Sequence, residues 1–221
     1  MNVPNGTLNR RTGQACAAVG ALLTVLVTVE WSPLLAADRA LAEGLHRHAV
    51  AHPLPTRIAR VLTDWFWDPW TMRLLGLLLA ARLWWRGARG RALVVVGALV
   101  VAMAAQGGLK ALVGRERPVW PDPVDSARLA AYPSGHAMTA IVACALLLWA
   151  AGRVPGPAAL ALAAVSVAGA GVTRLYLGVH WGSDVLGGWL LGAALASCAL
   201  ALCARFPGER EPGPPRAPRP S

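Results

Sequence analysis

Charge is what this sequence has least of. Only 14% of its residues are Asp, Glu, Lys or Arg, against about 25% in an ordinary soluble domain, while 56% are apolar. That balance excludes a typical soluble domain and points to an integral membrane protein. Lysine is nearly absent as well, occurring once, at Lys110, although the formal net charge is +10. The arginines stand at the ends of apolar runs and not along a solvated face with interleaved aromatics. This argues against a nucleic-acid partner and for topology determinants and anion ligands. Cysteines at metal or redox spacing are missing too. Cys16, Cys144, Cys198 and Cys203 fall inside apolar runs without a CxxC, so they read as small apolar side chains with no metal or redox role.

What the sequence does have is long apolar runs. They predict an all-α fold, a polytopic membrane helical bundle of six transmembrane helices at about 15–35, 69–85, 92–110, 134–152, 155–173 and 184–204, each near the length that crosses a bilayer core of about 30 Å. Residues 1–14 precede this domain of 15–204, and 205–221 form a Pro- and Arg-rich tail of disordered composition. A cleavable signal peptide ending near Leu35-Ala36-Ala37 is the competing reading of the first run. The parity of crossings favours an uncleaved anchor. Glu30 is out of place inside that run.

Between the first two runs, Ile58, Val61, Leu62, Trp65 and Phe66 follow helical spacing, so this stretch reads as an interfacial amphipathic helix with a Trp-rich end. His46, His48 and His52 invite a metal reading, but no Cys, Asp or Glu stands at a persuasive spacing around them. Asp68-Pro69 reads as a helix cap followed by Pro at the first helical position. Arg10, Arg11, Arg82, Arg86, Arg89, Arg91, Arg153 and the tail arginines Arg205, Arg210, Arg216 and Arg219 collect on one side of the six-span layout. The other side holds nearly as many basic residues, including Arg39, Arg47, Arg57 and Arg60, but three of its basic residues belong to the polar clusters. Both termini are therefore expected in the cytoplasm, with the interfacial helices on the extracytoplasmic side.

Three polar clusters interrupt the apolar runs, and counting crossings puts all three on the extracytoplasmic face. The first holds Lys110 and Arg117, seven residues apart and on one face if the segment stays helical. The second is Pro133-Ser134-Gly135-His136, where a helix begins and free backbone N–H groups can meet an anion. The third runs from Thr173 to Asp184 and contains Arg174, His180 and Asp184. His180 and Asp184 are four residues apart, one helical turn, so if the segment is helical the carboxylate can hold one ring nitrogen and leave the other free. Arg174 offers a planar fork suited to phosphate. The bland reading pairs Arg174 with Asp184 as a buried ion pair and leaves His180 a bystander.

Together, Lys110 to Arg117-Pro118, Pro133 to His136, and Thr173-Arg174 to His180 and Asp184 resemble the three signature motifs of the type 2 phosphatidic acid phosphatase (PAP2) superfamily, membrane lipid phosphatases related to vanadium haloperoxidases. The one departure is Thr173, where that pattern usually has Ser. The resemblance implies a metal-independent phosphatase with no cofactor that acts on a lipid phosphate through a phosphohistidine. His180 would be the nucleophile, Asp184 its orienting carboxylate and His136 the acid and base. Lys110, Arg117, Ser134, Gly135 and Arg174 would bind phosphate. Undecaprenyl pyrophosphate, phosphatidylglycerol phosphate and phosphatidic acid are all open as substrates. A lipid phosphotransferase and a non-enzymatic anion-binding or transport protein remain alternatives, and the oligomeric state is not readable.

Overall fold

The computed structural model describes residues 6–151 and 155–206, and every regular element among them is a helix. In chain order these are α1 (Gly6–Thr28), α2 (Ser32–Ala51), α3 (Pro53–Val61), α4 (Pro69–Trp85), α5 (Arg89–Val113), α6 (Gly135–Ala150), α7 (Pro157–Tyr176) and α8 (Gly182–Cys203). A π-helical turn, Leu62–Phe66, follows α3. Arg153, the tail beyond Phe206 and the end of the expected 134–152 span lie outside the described residues.

The breaks follow from local chemistry. Asp68 caps α4 by accepting from the Trp70 N–H at 2.7 Å, with Pro69 behind it. Gly114, at φ +61°, ends α5 in the left-handed conformation that glycine adopts without strain. The expected 15–35 run is not one helix. α1 stops at Thr28, Glu30 takes φ +53°, and α2 starts at Ser32 with Pro33 in its first turn and continues unbroken past His48. Glu30 marks the corner. The amphipathic stretch forms α3 and the π turn, leaving Trp65 and Phe66 exposed.

Four helical segments are long and apolar enough to cross a membrane: Arg10–Thr28, α5, α7 and α8. The sequence suggests six. α6 is apolar but has 16 residues, roughly 24 Å at 1.5 Å per residue. α4 has 17 residues and carries Arg73 and Arg82. The outward faces are covered with apolar side chains such as Leu22, Val25, Leu78, Leu93 and Val165, which suits a lipid surroundings.

α8 sits against α1 and α6, and small residues let it approach α6 closely. A Cβ on Gly188 would stand 2.6 Å from the Ser134 carbonyl oxygen, and one on Gly192 would stand 2.9 Å from that of Met138. Beyond this seam, Leu79, Val95, Leu99, Met138, Val142 and Leu146 form the main core with Ala199. The seam brings two helix N-termini side by side, and the Ser134 N–H donates to the Asp184 carbonyl at 2.9 Å.

Candidate active site

His180 lies in the short turn between α7 and α8 and is 2% exposed. Its Nδ1 is 3.2 Å from Asp184 Oδ2, one turn on and fully buried. On the far side of the ring, Arg117 Nη1 is 3.2 Å from Nε2. A guanidinium can only donate, so Nε2 carries the lone pair and the proton sits on Nδ1, facing the carboxylate. Burial pulls the imidazole down to about 4, with Arg117 and Lys110 adding to the effect and Asp184 opposing it. His180 is therefore neutral at pH 7, with a nucleophilic nitrogen turned toward the cations.

Arg117 does not share a helical face with Lys110. Because Gly114 ends α5, Arg117 lies in the following loop, and the two cations meet at a carbonyl instead. Lys110 Nζ donates to Ala130 O, which also accepts from Arg117 Nη2 at 3.4 Å. Arg117 further donates to Leu129 O at 2.9 Å and Val179 O at 2.5 Å. Burial, followed by the nearby Arg174, brings its guanidinium down to about 10, so it stays cationic at neutral pH.

Arg174, in the last turn of α7, is 5% exposed and pairs with Asp125 Oδ2 at 3.2 Å. The Arg174–Asp184 pair of the bland reading does not form, because Asp184 is held by Arg115 at 2.6 Å. Arg174 Nε and Ser134 Oγ are both buried without a partner. Both are donors, so an oxyanion within reach of either would satisfy it. Ser134 is the N-cap of α6, Gly135 its first residue and His136, half-buried, its second. The space over Gly135 is taken, since a Cβ there would be 2.4 Å from Gln106 Nε2. Thr173 gives its hydroxyl to Gly169 O at 2.7 Å, so its side chain serves α7.

No group of three His, Cys, Asp or Glu among the described residues is placed to hold a metal ion. Of the histidine cluster, His46 stacks on Trp120 with ring centroids 4.2 Å apart, and Trp120 Nε1 donates to Gly178 O at 2.8 Å. His46 thus supports the turn that carries His180. His48 meets Tyr176 Oη at 3.1 Å and stacks on His52.

Comparison with protein families matches residues 91–206, more than half of the chain, to the PAP2 superfamily. This chain belongs to the PAP2 superfamily. Among solved structures it is similar to the first transmembrane PAP2-type phosphatidylglycerolphosphate phosphatase from Bacillus subtilis, with a TM-score of 0.76 and 20% identity over 90% of this chain and 99% of that one. At that identity the likeness is one of fold. No curated protein matches the chain. The PAP2 match covers all three polar clusters, but three charged residues around them went unnoticed in the sequence. Asp38 and Arg115 bind one another and α8, and Asp125 binds Arg174. Only Arg115 left a local trace, as a second arginine two residues before Arg117.

Proposed function

We propose that this PAP2 protein is a membrane lipid phosphatase that hydrolyses a lipid phosphomonoester or pyrophosphate through a phosphohistidine on His180. The observation that carries the reading is the His180 ring, held by Asp184 at Nδ1 with its Nε2 lone pair accepting from Arg117, a donor that an incoming phosphate oxygen would draw to itself. The Nε2 lone pair attacks phosphorus as the P–O bond to the lipid breaks. The leaving oxygen takes a proton from His136, and the bound phosphate supplies the negative charge that a protonated ring among cations needs. Lys110, Arg117 and Arg174, with Ser134 and the Gly135 amide, stabilise the equatorial oxygens. Water, deprotonated by His136, then attacks phosphorus, the P–N bond breaks and free phosphate leaves with His180 restored.

The same reading needs no metal ion. It takes α1, α4, α5, α6, α7 and α8 as six membrane crossings, with both termini in the cytoplasm and the site outside. The PAP2 neighbour named for phosphatidylglycerolphosphate makes that lipid the first substrate to test, beside phosphatidic acid and undecaprenyl pyrophosphate. Phosphate release from the three in detergent, with EDTA present, is expected for the native chain. His180→Ala is expected to lower it by at least about 10³-fold, as loss of a covalent nucleophile does. Release that survives in His180→Ala, or that EDTA abolishes, would sink the mechanism.

A further inference from the structure

Behind Asp184 lies a row of charges that the reaction as drawn does not use. Asp38 reaches from α2 to the N-terminus of α8, where Oδ1 accepts from the Ser183 N–H at 2.8 Å and Oδ2 from the Ser183 hydroxyl at 2.5 Å. Gly182 leaves room for this approach, since a Cβ there would stand 3.1 Å from Asp38 Oδ1. Arg115 spans the two carboxylates. Its Nη2 donates to Asp38 Oδ2 at 2.7 Å, and its Nη1 donates to Asp184 Oδ1 and to Ser183 Oγ, both at 2.6 Å. The guanidinium also lies over the Trp181 ring, 5.7 Å from its centroid. Side-chain exposures are 5% for Asp38, 10% for Arg115 and 0% for Asp184.

The result is a buried row of carboxylate, guanidinium, carboxylate and imidazole. Two carboxylates share one guanidinium, so one negative charge remains to face His180. Arg117 faces the other side of the ring, Lys110 and His136 are near enough to disfavour a proton on one or both histidines, and Arg174 acts on His136 in the same sense. Glu30, Arg39 and Glu116 line a cavity of about 440 Å³ that Asp38 and Arg115 also border. Interactions among charges buried to this degree are screened less than surface pairs. A carboxylate held at both oxygens by charge-assisted bonds is also fixed in direction.

We propose that Asp38 and Arg115 are positioning residues that act through Asp184, holding its carboxylate in line with His180 Nδ1 and setting how much negative charge the imidazole feels. This rests on His180 being the nucleophile. Removing Arg115 leaves two buried carboxylates without their cation, so His180 becomes easier to protonate. Removing the Asp38 charge lets Arg115 neutralise Asp184 fully, so His180 becomes harder to protonate. The two changes must move the acid limb of activity in opposite directions.

The test is lipid-phosphate hydrolysis by native protein, Asp38→Asn, Arg115→Lys and Arg115→Ala, each shown to be monodisperse in detergent. For Arg115→Ala, kcat is expected to fall about 100-fold with KM within about threefold, the signature of lost alignment and not of lost binding. Its acid limb moves to higher pH, and that of Asp38→Asn to lower pH. Guanidinium ion in the millimolar range, which the adjoining cavity admits, raises kcat of Arg115→Ala about tenfold and leaves His180→Ala inactive. If Arg115→Ala does not fold, Arg115→Lys carries the test, with a lowered kcat and an unmoved acid limb. An active native enzyme whose variants keep their kcat, or lose it without opposite shifts or rescue, overturns the proposal and spares the hydrolase reading. If the native chain releases no phosphate from any lipid, that reading fails, and orthovanadate binding decides the proposal. Binding weakened at least tenfold in Arg115→Ala and restored by guanidinium upholds it, whereas unchanged or absent binding overturns it.

Discussion

His180 shows how one residue links the site to stability. In the unfolded chain a histidine titrates near pH 6.5, while burial holds the folded ring at about 4. As pH falls from 6.5 toward 4, the unfolded state takes up a proton that the folded state refuses, so stability is lost over that window at about 1.4 kcal/mol per pH unit. Thermal unfolding in detergent is expected to show a drop in Tm between pH 6.5 and 4 that is smaller in His180→Gln, and equal slopes would refute the argument. Asp125 carries a second expectation. It holds Arg174 at 3.2 Å and repels any anion that approaches the same guanidinium. Asp125→Asn should therefore strengthen inhibition by inorganic phosphate several-fold at low salt and less at high salt, and a weaker inhibition would mean that Asp125 orients Arg174 for phosphate. The His180–Asp184 contact was legible from the spacing of four, although His180 stands just before the N-cap of α8 and the carboxylate reaches back to it from the helix's first turn. Asp125 was not, because its partner lies 49 residues away, and Asp38 lies 145 residues from Ser183. Arg117 is legible by its charge, but its route to Lys110 is not, because a spacing of seven implies a shared helical face only while the helix continues, and the left-handed Gly114 ends it.

At the scale of elements, the site depends on how closely α6 and α8 approach. Their N-termini supply Ser134 to His136 from one helix and Asp184 from the other, and Gly188 makes the spacing possible. A methyl group there meets backbone, which cannot turn aside as a side chain can. Gly188→Ala is thus expected to push the start of α6 away from α8 and to cut phosphate release by at least about tenfold, a 1 Å misplacement being costly in an aligned site. Membrane insertion and expression should be kept. Ala196→Gly, farther down the same helix, is the comparison. If Gly188→Ala retained full activity, the seam would not be what sets the geometry. The helices themselves were legible where composition and caps agree, as at Asp68-Pro69. The break after Thr28 was not, since apolar residues continue on both sides of it and only Glu30 betrays the corner. The π turn at Leu62–Phe66 has the apolar spacing of an ordinary helix, so periodicity could not distinguish it.

For the whole molecule, the open quantity is the number of crossings. Four segments pass by length and composition, and six crossings require the short α4 and α6 to pass as well. α6 is the more demanding, since roughly 24 Å of helix must serve a core of about 30 Å. Its first turn is buried among α5, α8 and the loop before it, however, so its polar start sits in protein and not in lipid. A short helix of this kind is accommodated by local thinning at modest cost. Single cysteines at exposed positions decide the matter: Arg86→Cys between α4 and α5, Asp122→Cys between α5 and α6, and Gly156→Cys just before α7. A membrane-impermeant maleimide added to intact cells should label Asp122→Cys alone, and the other two only after permeabilisation. The native Cys16, Cys144, Cys198 and Cys203 lie within helices α1, α6 and α8 and should stay unlabelled in the parent protein. If Gly156→Cys were labelled from outside, α6 would not cross, and α7 would then carry Arg174 to the opposite face from Lys110. That outcome is incompatible with the two cations serving one phosphate, so the labelling pattern tests the site and the topology together.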